Sequence, residues 1–235
     1  AVEANGDAYR LVLDIAQENL PPFAFDLPVA VSLRGETTAR LLQTRIDQPR
    51  NRLVLELPRE PLRVDIDPEY DLLRYLDPTE QPPALNQLFG SEDTWLVLPA
   101  AAPAPMRDAW MALARQWQAR YPGLQMADDG TALPSAANRL LLGWDNRQLA
   151  GARAGFAREG QRLEEDALTV RGTRYGADET SIALVTNDAN GVATGFIGAA
   201  TPQAIASLAR KLTHYGSYGR LVFDAASGTN QVRDS

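Results

Sequence analysis

The period of the hydrophobic pattern changes once along this chain, and the change falls within residues 61–83 (PLRVDIDPEYDLLRYLDPTEQPP). Upstream, apolar and polar residues alternate singly, the two-residue period of strands half buried in a sheet. Downstream, continuous apolar runs alternate with apolar residues at helical spacing. A chain divided in this way is expected to build two modules of different architecture. Inside the boundary stretch, Leu62, Val64 and Ile66 alternate with Arg63, Asp65 and Asp67 until Pro68 stops the strand. Tyr70, Leu72, Leu73 and Leu76 then form an apolar stripe, while Asp77-Pro78 and Pro82-Pro83 forbid a long helix. Residues 68–92 are therefore expected to be a packed connector, with those four side chains buried between the modules.

The first module, residues 1–67, reads as an antiparallel β-sandwich. Strands are predicted at 9–16 (YRLVLDIA), 25–34 (FDLPVAVSLR), 38–46, 53–57 and 62–66. Pro28 removes a ladder donor from the second of these and points to an edge strand or a bulge. Turn signals every 8–12 residues fit an Ig-like architecture, although the paired Cys and core Trp of immunoglobulins are missing.

The second module, residues 93–235, reads as α/β, with helices packed on a sheet. Strands are predicted at 95–98 (WLVL), 139–142 (RLLL), 167–171, 182–186, 195–198 and 221–223. Trp110, Leu113, Ala114 and Trp117 sit at helical spacing before Pro122-Gly123, and 148–156 is a weaker helical pattern. Thr201-Pro202 is an N-cap followed by Pro at the first helical position, opening a helix that carries Ile205, Leu208, Ala209 and Leu212.

Composition excludes several classes of function. A net charge of −7, with Arg scattered and Lys211 the one lysine, argues against nucleic acid as the main partner. Cys is absent, which removes disulfides, thiolate nucleophiles and Cys-ligated metals. No apolar run approaches the ~20 residues of a membrane-spanning helix. Neither a charged n-region nor an apolar h-region follows Ala1, and the ending at 231–235 is abrupt, so a processed product or excised piece of a longer protein is expected.

The motifs carry no self-evident catalytic centre. His214 is the one histidine, so H-E-x-x-H zinc sites cannot be built, and no G-x-S-x-G elbow presents a nucleophile. No catalytic residue, metal ligand or cofactor is therefore expected. His214, Tyr215, Gly216, Ser217 and Tyr218 follow a helix and are read as a structural corner. His214 would cap the helix end, and Gly216 or Gly219 would take a left-handed turn. A hydrolase built on His214 with Ser217 and a carboxylate is the competing reading. Gly191, Gly195 and Gly198 match no phosphate-loop spacing and are read as a tight passage into the Thr201 helix. Asp128-Asp129 and Glu164-Glu165-Asp166 are read as solvated loop carboxylates, and Trp95, Trp110, Trp117 and Trp144 mostly as core.

Six segments carry a resemblance. FDLPVAVSL followed by PLRVDIDP resembles the β-sandwich that follows the catalytic domain in zinc peptidases of the aminopeptidase N family. EYDLLRYLDPTEQPPALNQLFG, then WLVLP, LLLGWDN and LARKLTHYGSYGRLVFD, is similar to the long C-terminal extension of a bacterial branch of that family. None of the family's catalytic signature is present, so its zinc ligands and Glu base map to no position here. The resemblance implies a non-catalytic accessory region of a larger periplasmic or membrane-associated protein. Its partner would be an upstream catalytic domain of the same polypeptide. The alternative is a stand-alone module whose α/β half binds a carbohydrate, a peptide or another small ligand.

Overall fold

The computed structural model describes every residue except 7, 19, 20, 75–80 and 235, and Asn5 by its backbone alone. Strands hold 41% of residues against 20% in helices, so the protein is mostly β, with several antiparallel sheets and a few helices. It divides into two compact units, residues 1–75 and 76–235. The division falls inside the stretch expected to be a connector.

The first unit has six strands: β1 (Val2–Asn5), β2 (Ala8–Ala16), β3 (Phe25–Leu33), β4 (Arg40–Ile46), β5 (Arg50–Leu57) and β6 (Pro61–Ile66). They form two antiparallel sheets, ordered β1-β2-β5 and β4-β3-β6. The two-residue period turns Leu27, Val29, Val31 and Leu33 of β3 inward, where they share one apolar cluster with Leu11, Ile46 and Leu57. Pro28 does not push β3 to an edge, for β3 is the central strand of its sheet. The ladder to β6 begins at Val29, opposite Ile66, and beyond it Asp67 N donates to Pro28 O at 2.8 Å. Proline has no N–H to return, so the missing donor falls where the pairing ends. Asp67 O accepts from Tyr70 N instead, at 3.1 Å, and the chain turns.

That turn is built on Asp67, whose φ is +53° and whose side chain is 1% exposed. Its Oδ1 accepts from Asp71 N at 2.8 Å and Leu72 N at 3.3 Å. Arg74 Nε donates to Oδ2 at 3.2 Å, and Arg74 Nη2 to Ile66 O at 3.1 Å. Leu72 packs on the apolar cluster. The expectation of a buried apolar stripe fails for two of its members: Tyr70 is 53% exposed and Leu73 fully exposed. The reason is local, since a carboxylate collecting the amides of 71 and 72 winds the chain tightly around itself, with Tyr70 at φ +56°. Leu76, the fourth member, lies outside the described residues.

The second unit opens with α1 (Leu85–Phe89), whose Leu85, Leu88 and Phe89 are buried in its core. There follow β7 (Thr94–Leu98), α2 (Ala104–Arg120), β8 (Leu124–Asp128), β9 (Asn138–Leu142), α3 (Leu149–Arg158), β10 (Gln161–Leu163), β11 (Ala167–Val170) and β12 (Thr173–Gly176). The chain ends through β13 (Thr180–Asn187), β14 (Ala193–Gly198), α4 (Pro202–Lys211), β15 (Arg220–Asp224) and β16 (Asn230–Asp234). A seven-stranded sheet runs β16-β15-β13-β14-β9-β7-β8, and β10-β11-β12 form a small antiparallel sheet. Strand and helix do not alternate throughout, as the pattern predicted: β8, β7, β9 and β14 are mutually parallel, while β13, β15 and β16 join antiparallel. One face of the large sheet carries α1, α2 and α4. The other carries α3 and the small sheet.

The helix signals act as their physics requires. Trp110, Leu113, Ala114 and Trp117 are all buried on one side of α2, and Trp117 Nε1 donates to Ala209 O of α4 at 2.8 Å. Thr201 Oγ1 accepts from Ala204 N at 3.2 Å, the N-cap bond that opens α4. Among the described residues no helix is long and apolar enough to cross a membrane.

Candidate functional site

Open sheets bind ligands beyond the carboxyl ends of parallel strands, where neighbouring strands send their connections to opposite faces. In this unit that point lies between β7 and β9, because β7 leads into α2 on one face and β9 into α3 on the other. The chain itself fills the crevice. Asn146 is 4% exposed, and its Nδ2 donates to Val97 O of β7 at 2.9 Å and to Leu142 O of β9 at 3.2 Å. Its Oδ1 accepts from Gln148 N at 3.1 Å. Next to it, Asp129 Oδ2 accepts from Arg147 N at 2.9 Å, and Gln148 Nε2 donates to Asp129 O at 3.2 Å. Asp129 is therefore buried, not a solvated loop acid as expected, and its Oδ1 lacks a hydrogen bond. Asn146 has no signal in the sequence beyond standing four residues after a buried strand.

Asn146→Ala is expected to cost about 2–3 kcal/mol, because it leaves two buried carbonyls and one amide unmet. Asn146→Asp should cost more, since a carboxylate would face those two carbonyl oxygens. The denaturant midpoints of the two variants check the order. Midpoints equal to the parent's would show that the crevice is not held by this side chain.

A second concavity, about 520 Å³, opens at the same end of the sheet beside β12, β13 and β15, lined by Arg174, Tyr175, Asp178, Glu179, Asp224 and Gln231 among others. Asp224 Oδ1 accepts from Ser227 N at 2.7 Å, Ser227 Oγ at 2.7 Å and Ala226 N at 3.1 Å. The Ser227 backbone N–H, with its hydroxyl, holds the Asp224 carboxyl below its ordinary range, so the wall is anionic at neutral pH. Arg174 is committed to Asp166 at 3.0 Å and Glu164 at 3.7 Å. Glu164 and Asp166 are thus surface partners of arginines. Among the described residues no group of three or more His, Asp or Glu side chains converges in a way that holds a metal.

The corner at 214–219 sits at the opposite end of β15. After α4 comes a 3-10 turn, Leu212–His214, in which His214 is exposed. No carboxylate pairs with His214 among the described residues. Tyr215 packs edge-on against Phe223, with ring centroids 5.6 Å apart, and tilts against Tyr218 at 5.9 Å. Ser217 is exposed. The backbone of the corner serves α1: Leu85 N donates to Tyr218 O at 3.0 Å and Asn86 N to Gly216 O at 2.8 Å. These are the amides a helix N-terminus leaves unmet. Neither Gly216 nor Gly219 takes a positive φ, contrary to the expected left-handed turn. At Gly219 smallness matters instead, because an added Cβ would overlap the carbonyl oxygen of Pro83.

The three other glycines divide in the same way. Gly191, at φ +78°, forms the β13–β14 turn. Gly195 admits Leu88 and Leu140, and an added Cβ there would lie 2.5 Å from Leu88 Cδ1. Gly198 admits Trp144, whose Nε1 would lie 2.6 Å from such a Cβ. Close packing of helix and indole on β14 is thus the reason for Gly195 and Gly198, and no phosphate loop is formed. Trp110 and Trp117 are core; Trp95 and Trp144 are half buried at the sheet's second face. No protein-family model matches the chain, and no curated protein matches it in sequence.

Proposed function

We propose that this chain is a non-catalytic accessory region of a larger aminopeptidase N-like, metallopeptidase-related protein, one that positions or recognises a substrate or partner for an upstream catalytic domain of the same polypeptide. The observation that carries the reading is how the most specific segments of the resemblance are used. Asp67 and Arg74 of DIDPEYDLLR hold a backbone turn, and Gly216 and Tyr218 of HYGSYG hold the start of α1. In both segments these bonds stay within the chain and hold its own backbone in place, as in a scaffolding segment, while His214 and Ser217 are exposed. On this reading the two sheets of the first unit are an Ig-like sandwich, and the whole protein is periplasmic or membrane-associated.

The purified chain is accordingly expected to give no aminopeptidase turnover above that of a His214→Ala control, with or without added zinc. Aminoacyl-coumarin substrates provide the assay. Turnover that copurifies with the chain and disappears in His214→Ala would overturn the accessory reading. The complete reading frame supplies an independent check, since an upstream H-E-x-x-H is expected there.

A second reading, a binding module for a carbohydrate, peptide or other small ligand, is favoured by the 520 Å³ concavity and its mixed polar wall. Protection of the 174–180 and 224–231 amides from hydrogen exchange by such a ligand would distinguish it.

A further inference from the structure

The turn between β13 and β14 presents an asparagine followed by a glycine, Asn190-Gly191, at its tip. Asn190 is exposed, and its side-chain amide makes no hydrogen bond among the described residues. Only the backbone is held. Asp188 Oδ1 accepts from Asn190 N at 2.8 Å and Val192 N at 2.9 Å, and Gly191 N donates to Asp188 O at 3.1 Å. Gly191 stands at φ +78°, in the left-handed region that glycine enters without strain. The pair sets a nucleophile beside an electrophile along the chain itself, since a bond from Gly191 N to Asn190 Cγ closes a succinimide ring. A side chain on the following residue would crowd that approach, and glycine has none.

The other asparagines whose side chains are described lack this combination. Asn51, Asn86, Asn138, Asn146, Asn187 and Asn230 each precede a residue that carries a Cβ. Most are also restrained. Asn51 Nδ2 donates to Gln48 O at 2.7 Å, Asn138 Oδ1 accepts from Ala193 N at 2.8 Å, and Asn146 is buried. Asn187 Oδ1 and Asn230 Nδ2 are shielded from solvent within their strands.

We propose that Asn190 is a modification site, deamidated without an enzyme to aspartate and isoaspartate, with water as co-reactant. Gly191 N loses its proton to solvent and bonds to Asn190 Cγ, while the Cγ–Nδ2 bond breaks and the nitrogen leaves as ammonia. Water then opens the succinimide. Opening at Cγ gives aspartate, and opening at the backbone carbonyl gives isoaspartate, with the chain rerouted through the side chain. Ring closure requires Gly191 N to release Asp188 O, a single bond in an exposed turn, where local opening costs least. The ladder between β13 and β14 starts at Asn187, opposite Ala193, and need not open. Either product puts a new carboxylate near Asp188. Isoaspartate also lengthens the turn between two interior strands of the large sheet by a methylene. The change is one-way and accumulates with the age of the chain. The site does not depend on either reading above.

The test is storage of the folded chain in warm, mildly alkaline buffer, followed by peptide mapping with fragmentation that places each deamidated residue. Asn190 is expected to convert at least about tenfold faster than the six asparagines compared above, a barrier lower by about 1.4 kcal/mol or more. Aspartate and isoaspartate should both appear at that position. Gly191→Asn keeps a residue that tolerates the left-handed turn but adds a Cβ, and should slow conversion at 190 about tenfold or more. An Asn190 that stays intact, or converts no faster than the other six, overturns the proposal. An unchanged rate at 190 in Gly191→Asn overturns it as well.

Discussion

Replacing Asp67 with alanine is expected to unfold the first unit and leave the second standing. The substitution removes a carboxylate that is 1% exposed and holds Arg74, itself 22% exposed. Removing the buried carboxylate of such a pair costs up to about 3–5 kcal/mol, and the partial exposure of Arg74 places the loss toward the lower end. Two further losses act in the same direction. The amides of Asp71 and Leu72 lose their acceptor, and alanine takes φ +53° less readily than aspartate does. A unit of this size rarely holds more than about 3–5 kcal/mol in total, so the loss is comparable to its whole stability. The four tryptophans, Trp95, Trp110, Trp117 and Trp144, all lie in the second unit, and their emission reports on it alone. Hydrogen exchange of the β3 amides reports on the first. The expected result is rapid exchange across β3 with unchanged tryptophan emission. Asp67→Asn should fall between, since asparagine keeps an acceptor for the amides and tolerates the left-handed region but cannot pair with Arg74's charge. Parent-like exchange in Asp67→Ala would show that the turn does not hold the unit together.

What the sequence makes legible is what depends on near neighbours. Leu27, Val29, Val31 and Leu33 alternate because one face of a strand is buried, and their burial follows from spacing alone. The same holds for the stripe on α2 and for the Thr201 cap. Pro28 shows the first limit. A missing N–H is a local fact, but whether it matters depends on where β6, far along the chain, stops pairing. The stripe at 70–76 shows a second, since apolar spacing cannot outweigh a carboxylate that gathers the following amides into a turn.

The candidate sites lie beyond both limits. Asn146 matters through Val97 and Leu142, which are brought together by sheet order. Likewise Trp95, Arg139, Thr194 and Thr186 become neighbours across β7, β9, β14 and β13 only in register: on their separate strands they are an aromatic, a charge and two hydroxyls with nothing to connect them. Sheet order is a non-local property, and no period in the chain encodes it.

Gly216 and Gly219 make that contrast measurable, for they look alike in HYGSYG and are expected to respond very differently to a methyl group. At Gly219 an added Cβ would overlap the carbonyl oxygen of Pro83. The backbone there has no freedom to retreat, because Gly219 O accepts from Val185 N at 2.8 Å and Gly219 N donates to Asp234 O at 3.0 Å. Pro83 is equally constrained, since the chain immediately after it enters α1 through the bonds from Leu85 N and Asn86 N to the corner. One side or the other must move, and either movement breaks hydrogen bonds that hold β15 between its neighbours or α1 on the core. Gly219→Ala is therefore expected at or above the upper end of the overpacking range, about 3 kcal/mol, which for a unit of this size lowers the melting temperature by roughly 6–12 °C. At Gly216 the added Cβ would meet Asn86 Cβ at 3.5 Å, an ordinary contact, with no positive φ to strain it. Gly216→Ala should stay within about 1 kcal/mol of the parent. His214→Ala, on an exposed side chain at a helix end, should lose no more than about 0.3–1 kcal/mol. Thermal melts of the three variants order them as Gly219, then the other two close together. If Gly216→Ala melts as low as Gly219→Ala, backbone conformation and not the Pro83 contact sets the corner.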